Sequence, residues 1–357
     1  MRFSVAYRVT SKPLRCYPHQ ARFYLGLLKR VKIPPPAFLL TQSDKILERL
    51  GNLAGKIHRD GAKARMQNVK SHPHPEVAQM AETPSLIPLS GWHCRHYLYR
   101  FNRDVLQTLS KDDLALGIQQ FIAAFDPQSM DSPAQLQVLL IGGHKADFGY
   151  IALDADPCRV DGIHYRLLSG RLGPALQPAY SFVSLTEVSE YLPTPAQYAE
   201  RLRAEGWDPE SEEFKKQLRQ FEKRLEVMYR RRLTPDLPMW PAVSFYPMNK
   251  RRTADANWFL LPFEERERLM HEHGETGMKF AGKVVQMVTA GIGLEDWEWG
   301  VTLWATNPQY LKDIVYRMRF DQVSARYAEF GPFYFGWLAD PKEVLRFCRV
   351  GLSEVPQ

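Results

Sequence analysis

An α+β protein made of two tandem ferredoxin-like halves is predicted by three observations. Apolar periodicity alternates between strand and helix spacing in the order β-α-β-β-α-β, and then does so a second time. The two passes match at an offset of 151, pairing Phe148-Gly149 with Trp299-Gly300, Pro157 with Pro308, Ile163 with Ile314 and Tyr165-Arg166 with Tyr316-Arg317. The 357 residues, 45% hydrophobic and 24% charged, suffice for roughly two cores at about 100–200 residues each.

Order is expected from about Pro88. Trp92–Phe101 alternates and reads as a strand. Lys111–Phe125 carries Leu114, Ile118, Phe121 and Ile122 on one helical face. Leu136–Ile141 and Phe148–Leu153 are strands on either side of Gly142-Gly143, Pro157–Leu168 is a helix opened by proline, and Ser181–Val188 is a strand. Phe214, Leu218, Phe221 and Leu225 then fall at helical spacing, so Glu212–Arg230 is an amphipathic connecting helix with a solvated charged face. The second pass gives strands at Ala242–Tyr246, Val284–Val288, Trp299–Trp304 and Gly331–Trp337, with helices at Pro262–His273 and Pro308–Arg317. Four segments follow: an extension over 1–86, an N-terminal half over 87–195, a charged connector over 196–231 and a C-terminal half over 232–357.

The net charge of +7 is unevenly placed. Residues 1–82 hold 15 Lys/Arg against 5 Asp/Glu, and the remainder holds 32 against 35. The excess is therefore no argument for a nucleic-acid-binding core, and no aromatic stacking platform or basic recognition helix accompanies it. Residues 1–43 contain eight basic side chains, no acid and the run Pro34-Pro35-Pro36. That pattern fits an organellar transit peptide, a disordered basic tail or a start placed too far upstream. Ser43–Ala54 is helix-capable, and Ser71-His72-Pro73-His74-Pro75 reads as loose chain. The four cysteines (Cys16, Cys94, Cys158, Cys348) form no CxxC pair, which fits a reducing compartment such as the cytoplasm and no zinc or disulfide framework. No apolar run reaches the roughly 18 residues of a membrane helix.

Several residues have chemistry to offer. In His93-Cys94-Arg95-His96, Cys94 and His96 share a strand face, which is too few ligands for a metal. His144-Lys145 reads as a polar turn. In the C-terminal half, Tyr246-Pro247-Met248-Asn249-Lys250-Arg251-Arg252 closes a strand with a phenol and three cations, and Trp258 follows. His273 stands just before Gly274, where the helix is expected to stop. It is either a cation on the negative helix end or an imidazole ligand needing a partner for its other nitrogen. Gln286 lies between Val284 and Val288 on one strand face, so a buried amide with a structural partner or a ligand is expected. Trp297 and Trp299 suggest core aromatics. Arg319-Phe320-Asp321 and Ser324-Ala325-Arg326-Tyr327 close the last helix and either bind an anion or brace it.

Together Tyr246-Pro-Met-Asn-Lys250, Asn257-Trp258, Glu272-His273-Gly274, Glu298-Trp299-Gly300, Met318-Arg-Phe-Asp321 and Ser324-Ala-Arg-Tyr327 resemble the chlorite dismutase-like haem protein superfamily, within it the coproheme decarboxylase branch. The resemblance covers about residues 88–345. It implies a dimeric α+β barrel-type subunit, a homopentamer and a porphyrin in the C-terminal half. It makes His273 the axial iron ligand, Tyr246 the catalytic tyrosine and Lys250 the lysine beside a reacting propionate. Arg232, Arg319 and Ser324 become propionate-binding residues, Gln286 the distal glutamine, and Trp258 and Trp299 aromatics around the macrocycle. Pro247, Met248 and Asn249 complete the porphyrin-binding stretch. The implied substrate is Fe-coproporphyrin III (coproheme), which hydrogen peroxide converts to haem b through a tyrosyl radical and loss of two carboxyl groups, with coproporphyrin ferrochelatase as the implied donor. Chlorite dismutation is the alternative, and its distal arginine would be needed where the neutral Gln286 stands. A non-catalytic haem carrier is a third reading.

Overall fold

The computed structural model describes residues 84–351. The expectations for the transit-like 1–43, Ser43–Ala54, the 71–75 stretch and Cys16 lie outside the described residues. The N-terminal half runs β1 (His93–Phe101), α1 (Arg103–Thr108), α2 (Lys111–Ala124), β2 (Gln135–Ile141), β3 (Phe148–Asp154), α3 (Pro157–Ser169) and β4 (Leu176–Thr186). Its helices start where the sequence supplies caps. Ser110 Oγ accepts from the Asp113 amide to open α2, and Asp156 accepts from the Cys158 amide ahead of Pro157 to open α3. The connector holds α4 (Pro195–Ala204), opened by a reciprocal Thr194–Gln197 capping box, and α5 (Glu212–Leu233). Tyr198 stacks on Phe221 at 4.2 Å, so the apolar stripe of α5 is spent partly on α4.

The C-terminal half follows with β5 (Ala242–Lys250), a small hairpin of β6 (Arg252–Thr253) and β7 (Ala256–Asn257), α6 (Phe263–Met278), β8 (Val284–Ala290) and β9 (Trp299–Ala305). It ends with α7 (Pro308–Met318), α8 (Gln322–Tyr327), β10 (Ala328–Phe330), β11 (Tyr334–Leu338) and α9 (Pro341–Phe347). The strands of the two halves pair in the orders β4-β1-β3-β2 and β11-β5-β9-β8. These are the same order, and β4–β8 and β11–β2 pairing closes both into one eight-stranded ring, with β10 added along β5. Inside the ring, Leu98, Ile151, Phe182, Phe245 and Trp304 form a core shared by both halves. Polar interior groups are paired across the halves: His96 Nε2 with Thr302 Oγ1 at 2.8 Å, and Trp304 Nε1 donating to Gln137 Oε1 at 2.9 Å. Cys94 and His96 are thus interior strand residues, as their shared face predicts.

Several boundaries differ from the sequence reading. β5 continues past Tyr246 to Lys250 because Pro247 falls where the neighbouring chain leaves the ladder between β10 and β11, so its missing N–H costs nothing. The helix at His273 does not stop at Gly274 but runs to Met278. His273 is therefore mid-helix, and the helix-end explanation of it falls. β4 begins at Leu176 rather than Ser181, passing Pro178 beside an irregularity at Leu98/Tyr99. The last strand begins at Tyr334 rather than Gly331. The segment expected to close the last helix is a helix of its own, α8, and α9 comes after it. Finally, His93 faces Asp154 as Ala242 faces Ala305, so the 151-residue offset shortens to 149 in the first strand. Tyr97 is thereby the counterpart of Tyr246, and Phe101 of Lys250.

Candidate active site: a cavity between the C-terminal sheet and its helices

Outside the ring, against the C-terminal half, lies a cavity of about 1000 Å³. Strand alternation builds its floor. Tyr246, Met248 and Lys250 of β5, Val301 and Trp299 of β9 and Gln286 and Val288 of β8 face it, with Glu187 beyond the end of β4. The facing wall is α6 with Met270, His273 and Gly274, joined by Met318, Arg319 and Ser324 from the α7–α8 junction. A third side is the strap 189–193, tied to α6 by Glu190–Arg266 at 3.4 Å and by Tyr191 stacked on Phe263 at 5.8 Å.

The imidazole of His273 is held by Asp321, with Nδ1 3.0 Å from Oδ2, while Thr276 Oγ1 donates to the other carboxylate oxygen at 3.0 Å. A carboxylate only accepts, so Nδ1 carries the proton and Nε2 keeps its lone pair. Burial first, then the nearby Lys250 charge, lower the His273 pKa against the pull of Asp321, and the ring stays neutral. Among the described residues no group of three or more His, Cys, Asp or Glu side chains could hold a bare metal ion. One imidazole held in a fixed tautomer suits an iron that brings its other donors with it.

Lys250 is buried, with Nζ over the Trp258 ring at 4.2 Å. Burial lowers its pKa to about 7, and Glu298 partly restores it. Glu298 also accepts from the Lys250 amide at 2.8 Å and meets Arg252 at 3.4 Å, which fixes this end of β5. Tyr246 is buried, stacked on Phe333 at 4.3 Å, and burial raises its pKa above the ordinary phenol value, so it stays protonated. Arg319 is exposed at the rim, its guanidinium over Phe330 at 5.5 Å. Arg232 is exposed in the last turn of α5, so the connector helix, not the C-terminal half, delivers it.

Gly274 gives an independent indication of shape. It sits inside α6, where glycine costs about 1 kcal/mol relative to alanine, yet a Cβ there would have no protein atom within 4 Å. Packing within the protein does not require it. The bare backbone leaves the helix wall flat beside His273, as a planar ligand needs. With the His273 imidazole held by Asp321 and several cations, this fits an iron porphyrin bearing carboxylates.

Ten of the predicted site residues meet here: Arg232, Tyr246, Met248, Lys250, Trp258, His273, Gln286, Trp299, Arg319 and Ser324. Two do not. Pro247 and Asn249 lie on the opposite side of β5 by alternation, where Asn249 Oδ1 accepts from the Glu298 amide at 2.7 Å. Gln286 reaches the cavity but is exposed rather than buried, because the floor opens to solvent at β8. Sequence reasoning gave no role to Glu298 or Glu187, and read Asp321 only as part of a segment that binds an anion or braces a helix. Asp321 lies 48 residues beyond His273, a separation that carries no spacing signature.

Residues 114–339 match the model of the chlorite dismutase family. A protein of Oceanobacillus iheyensis named coproheme decarboxylase is 35% identical over 268 residues, 74% of this chain and 98% of that protein. A structure described as a novel heme-binding protein from Thermus thermophilus is 32% identical, with a TM-score of 0.59 over 73% of this chain and 96% of its own. A chlorite dismutase variant from Candidatus Nitrospira defluvii shares the fold at 15% identity and a TM-score of 0.55, over 74% of this chain and 97% of its own.

Proposed function

The chain belongs to the chlorite dismutase family, and from that premise we propose that it is a coproheme decarboxylase, removing two carboxyl groups from iron coproporphyrin III with hydrogen peroxide to give haem b. The observation that carries this reading is the pairing of a neutral, carboxylate-held imidazole on one wall with a buried phenol and a buried lysine on the floor facing it. Bound coproheme, the substrate, supplies the redox centre that peroxide oxidises.

The protein's own groups do the rest. His273 Nε2 ligates, with Asp321 fixing its tautomer and strengthening it as a donor. Lys250, Arg232, Arg319 and the Ser324 hydroxyl take carboxylates, the cations by charge-assisted hydrogen bonds. Burial lowers the Lys250 pKa to about 7 in the empty cavity, and a propionate bound beside it favours the charged lysine that holds it. Tyr246, kept protonated by its apolar surroundings, gives up its O–H hydrogen when oxidised and takes one from a propionate chain beside it. Each round balances as propionate, peroxide and a proton going to vinyl, carbon dioxide and two waters. Chlorite chemistry is less well served, since the floor offers the neutral Gln286 where a cation would steady an oxyanion. The homopentamer and a ferrochelatase donor belong to this same reading.

The test is direct. Full-length protein loaded with iron coproporphyrin III is titrated with peroxide, and porphyrin masses are followed through a three-propionate species to haem b. Tyr246→Phe is expected to bind coproheme normally and lose more than about a thousandfold in decarboxylation rate. A normal rate in that variant removes Tyr246 from the chemistry. Retention of all four carboxylates by the wild type removes the proposed function.

A further inference from the structure

We propose that Glu187 is the proton-transfer group of the cavity floor, taking a proton from hydrogen peroxide opposite His273 and returning it to the oxygen that departs as water. The proposal deepens the decarboxylase reading and rests on it.

Register places the residue. Thr186 pairs with Thr289 at the end of β4, so the next side chain, Glu187, projects to the outer face beside Val288. Val288 pairs with Val301, and Val301 with Tyr246. Glu187 and Tyr246 thus bound the same floor row, with two valines between them. At about 4.8 Å per strand the row is roughly 14 Å wide. The Glu187 carboxylate is also held in place: Trp299 Nε1 donates to its Oε1 at 3.3 Å.

Elimination on that floor is nearly complete. Val288, Val301 and Met248 exchange no protons. The Gln286 amide does not either at neutral pH, and the Trp299 indole is a donor only. Tyr246 is held protonated, and Lys250 lies at the far edge over Trp258. Of the acids on the strap, Glu190 is already engaged by Arg266. Glu187 alone on the floor is a carboxylate, the type of group that both takes and returns a proton. Burial raises its pKa, with Glu190 adding to the rise and the Trp299 hydrogen bond and Arg232 opposing it, which brings the carboxyl nearer working pH.

Peroxide chemistry demands such a group. HOOH must lose a proton to attack as hydroperoxide, which leaves Glu187 as the acid. When the O–O bond breaks, that proton joins the departing OH to make water, and the two electrons come from the iron porphyrin.

Hydrogen cyanide reads the same step without turnover, because it too must lose its proton to bind ferric iron. In full-length protein carrying ferric coproheme, Glu187→Gln is expected to slow cyanide association and peroxide consumption at least tenfold at pH 7. Both rates should recover as pH is raised and the anions form in solution, and Glu187→Asp should restore part of each. Affinity for coproheme and for metal-free coproporphyrin III should stay within twofold. Wild-type cyanide association in Glu187→Gln overturns the proposal. So does a parallel loss of porphyrin affinity, which marks the residue as structural. If the wild type releases no carbon dioxide, the decarboxylase reading fails on its own, while the cyanide comparison still reports on Glu187.

Discussion

The two halves share strand order, helix placement and a tyrosine at the same strand position, yet one is packed solid and the other holds the cavity. In the N-terminal half, Tyr97, Tyr99, Phe148 and Tyr150 cover the outer sheet face and meet Phe121, Val160 and Ile163 from α2 and α3. Tyr97 donates its hydroxyl to Asp161 at 2.9 Å, and Arg95 forks the same carboxylate at 2.9 and 3.2 Å. At the equivalent floor positions the C-terminal half has Val301 for Tyr150, Met248 for Tyr99 and Lys250 for Phe101. Phe148 becomes Trp299, whose indole is tied aside by Glu187. Topology did not make the site. A few side-chain volumes on one sheet face did, and the tyrosine shared by both halves was left facing space instead of a carboxylate.

The comparison breaks most directly by making the hollow half resemble the solid one. Val301→Tyr, which transplants the Tyr150 side chain, is expected to reduce coproporphyrin III binding more than about a hundredfold, read by porphyrin fluorescence, while far-ultraviolet circular dichroism stays that of the wild type. Next in size is Asp321→Ala, which removes the acceptor that fixes the His273 tautomer. A loss of about 10–100-fold in iron porphyrin affinity is expected, with a shifted ferric spectrum and little change for the metal-free porphyrin.

A third test concerns the interior that the halves share. His96 is fully buried between them, stacked on Phe245 at 4.1 Å, and burial drives its pKa from 6.5 down to about 3. The unfolded chain therefore binds a proton below pH 6.5 that the native state refuses until about pH 3. Its contribution is complete above pH 6.5 and is lost as pH falls through that window, at up to about 1.4 kcal/mol per pH unit. In His96→Asn, denaturant unfolding between pH 6 and 4 should show a slope shallower by about that amount. The smallest effect is expected at Gly274, where alanine should stabilise the porphyrin-free protein by about 0.5–1 kcal/mol and still weaken porphyrin binding. Equal shifts of melting temperature with and without porphyrin would show that the flat wall has no bearing on the ligand.

The fold was legible because strand alternation and helical stripes recur twice, and caps such as Ser110, Asp156 and Pro157 stand where helices start. Eight of the ten site residues stand in the clustered motifs that carry the resemblance, and the resemblance alone adds Arg232 and Gln286. What escaped was set by tertiary context. Pro247 reads as a strand end until the gap between β10 and β11 is seen, and Gly274 reads as a helix stop until the cavity beside it is. Pro247 and Asn249 were drawn into the site by adjacency along the chain, which alternation then divides between two faces. Asp321 stands in one of those motifs, but its hold on His273 comes only from the helix junction, and Glu187 reaches the site from the other half with no local pattern to announce it.

The closed ring has a consequence for the protein before any ligand arrives. Each of its eight strands is paired on both sides over at least part of its length, so the unpaired backbone left to another chain is short: β8 before its two positions of pairing with β4, and the outer side of β10. A protein whose large pocket is lined with apolar and aromatic groups is in this respect guarded against edge-to-edge polymerisation. What stickiness it has while waiting for a porphyrin lies mostly in the pocket and in exposed apolar side chains, with little left to the sheet.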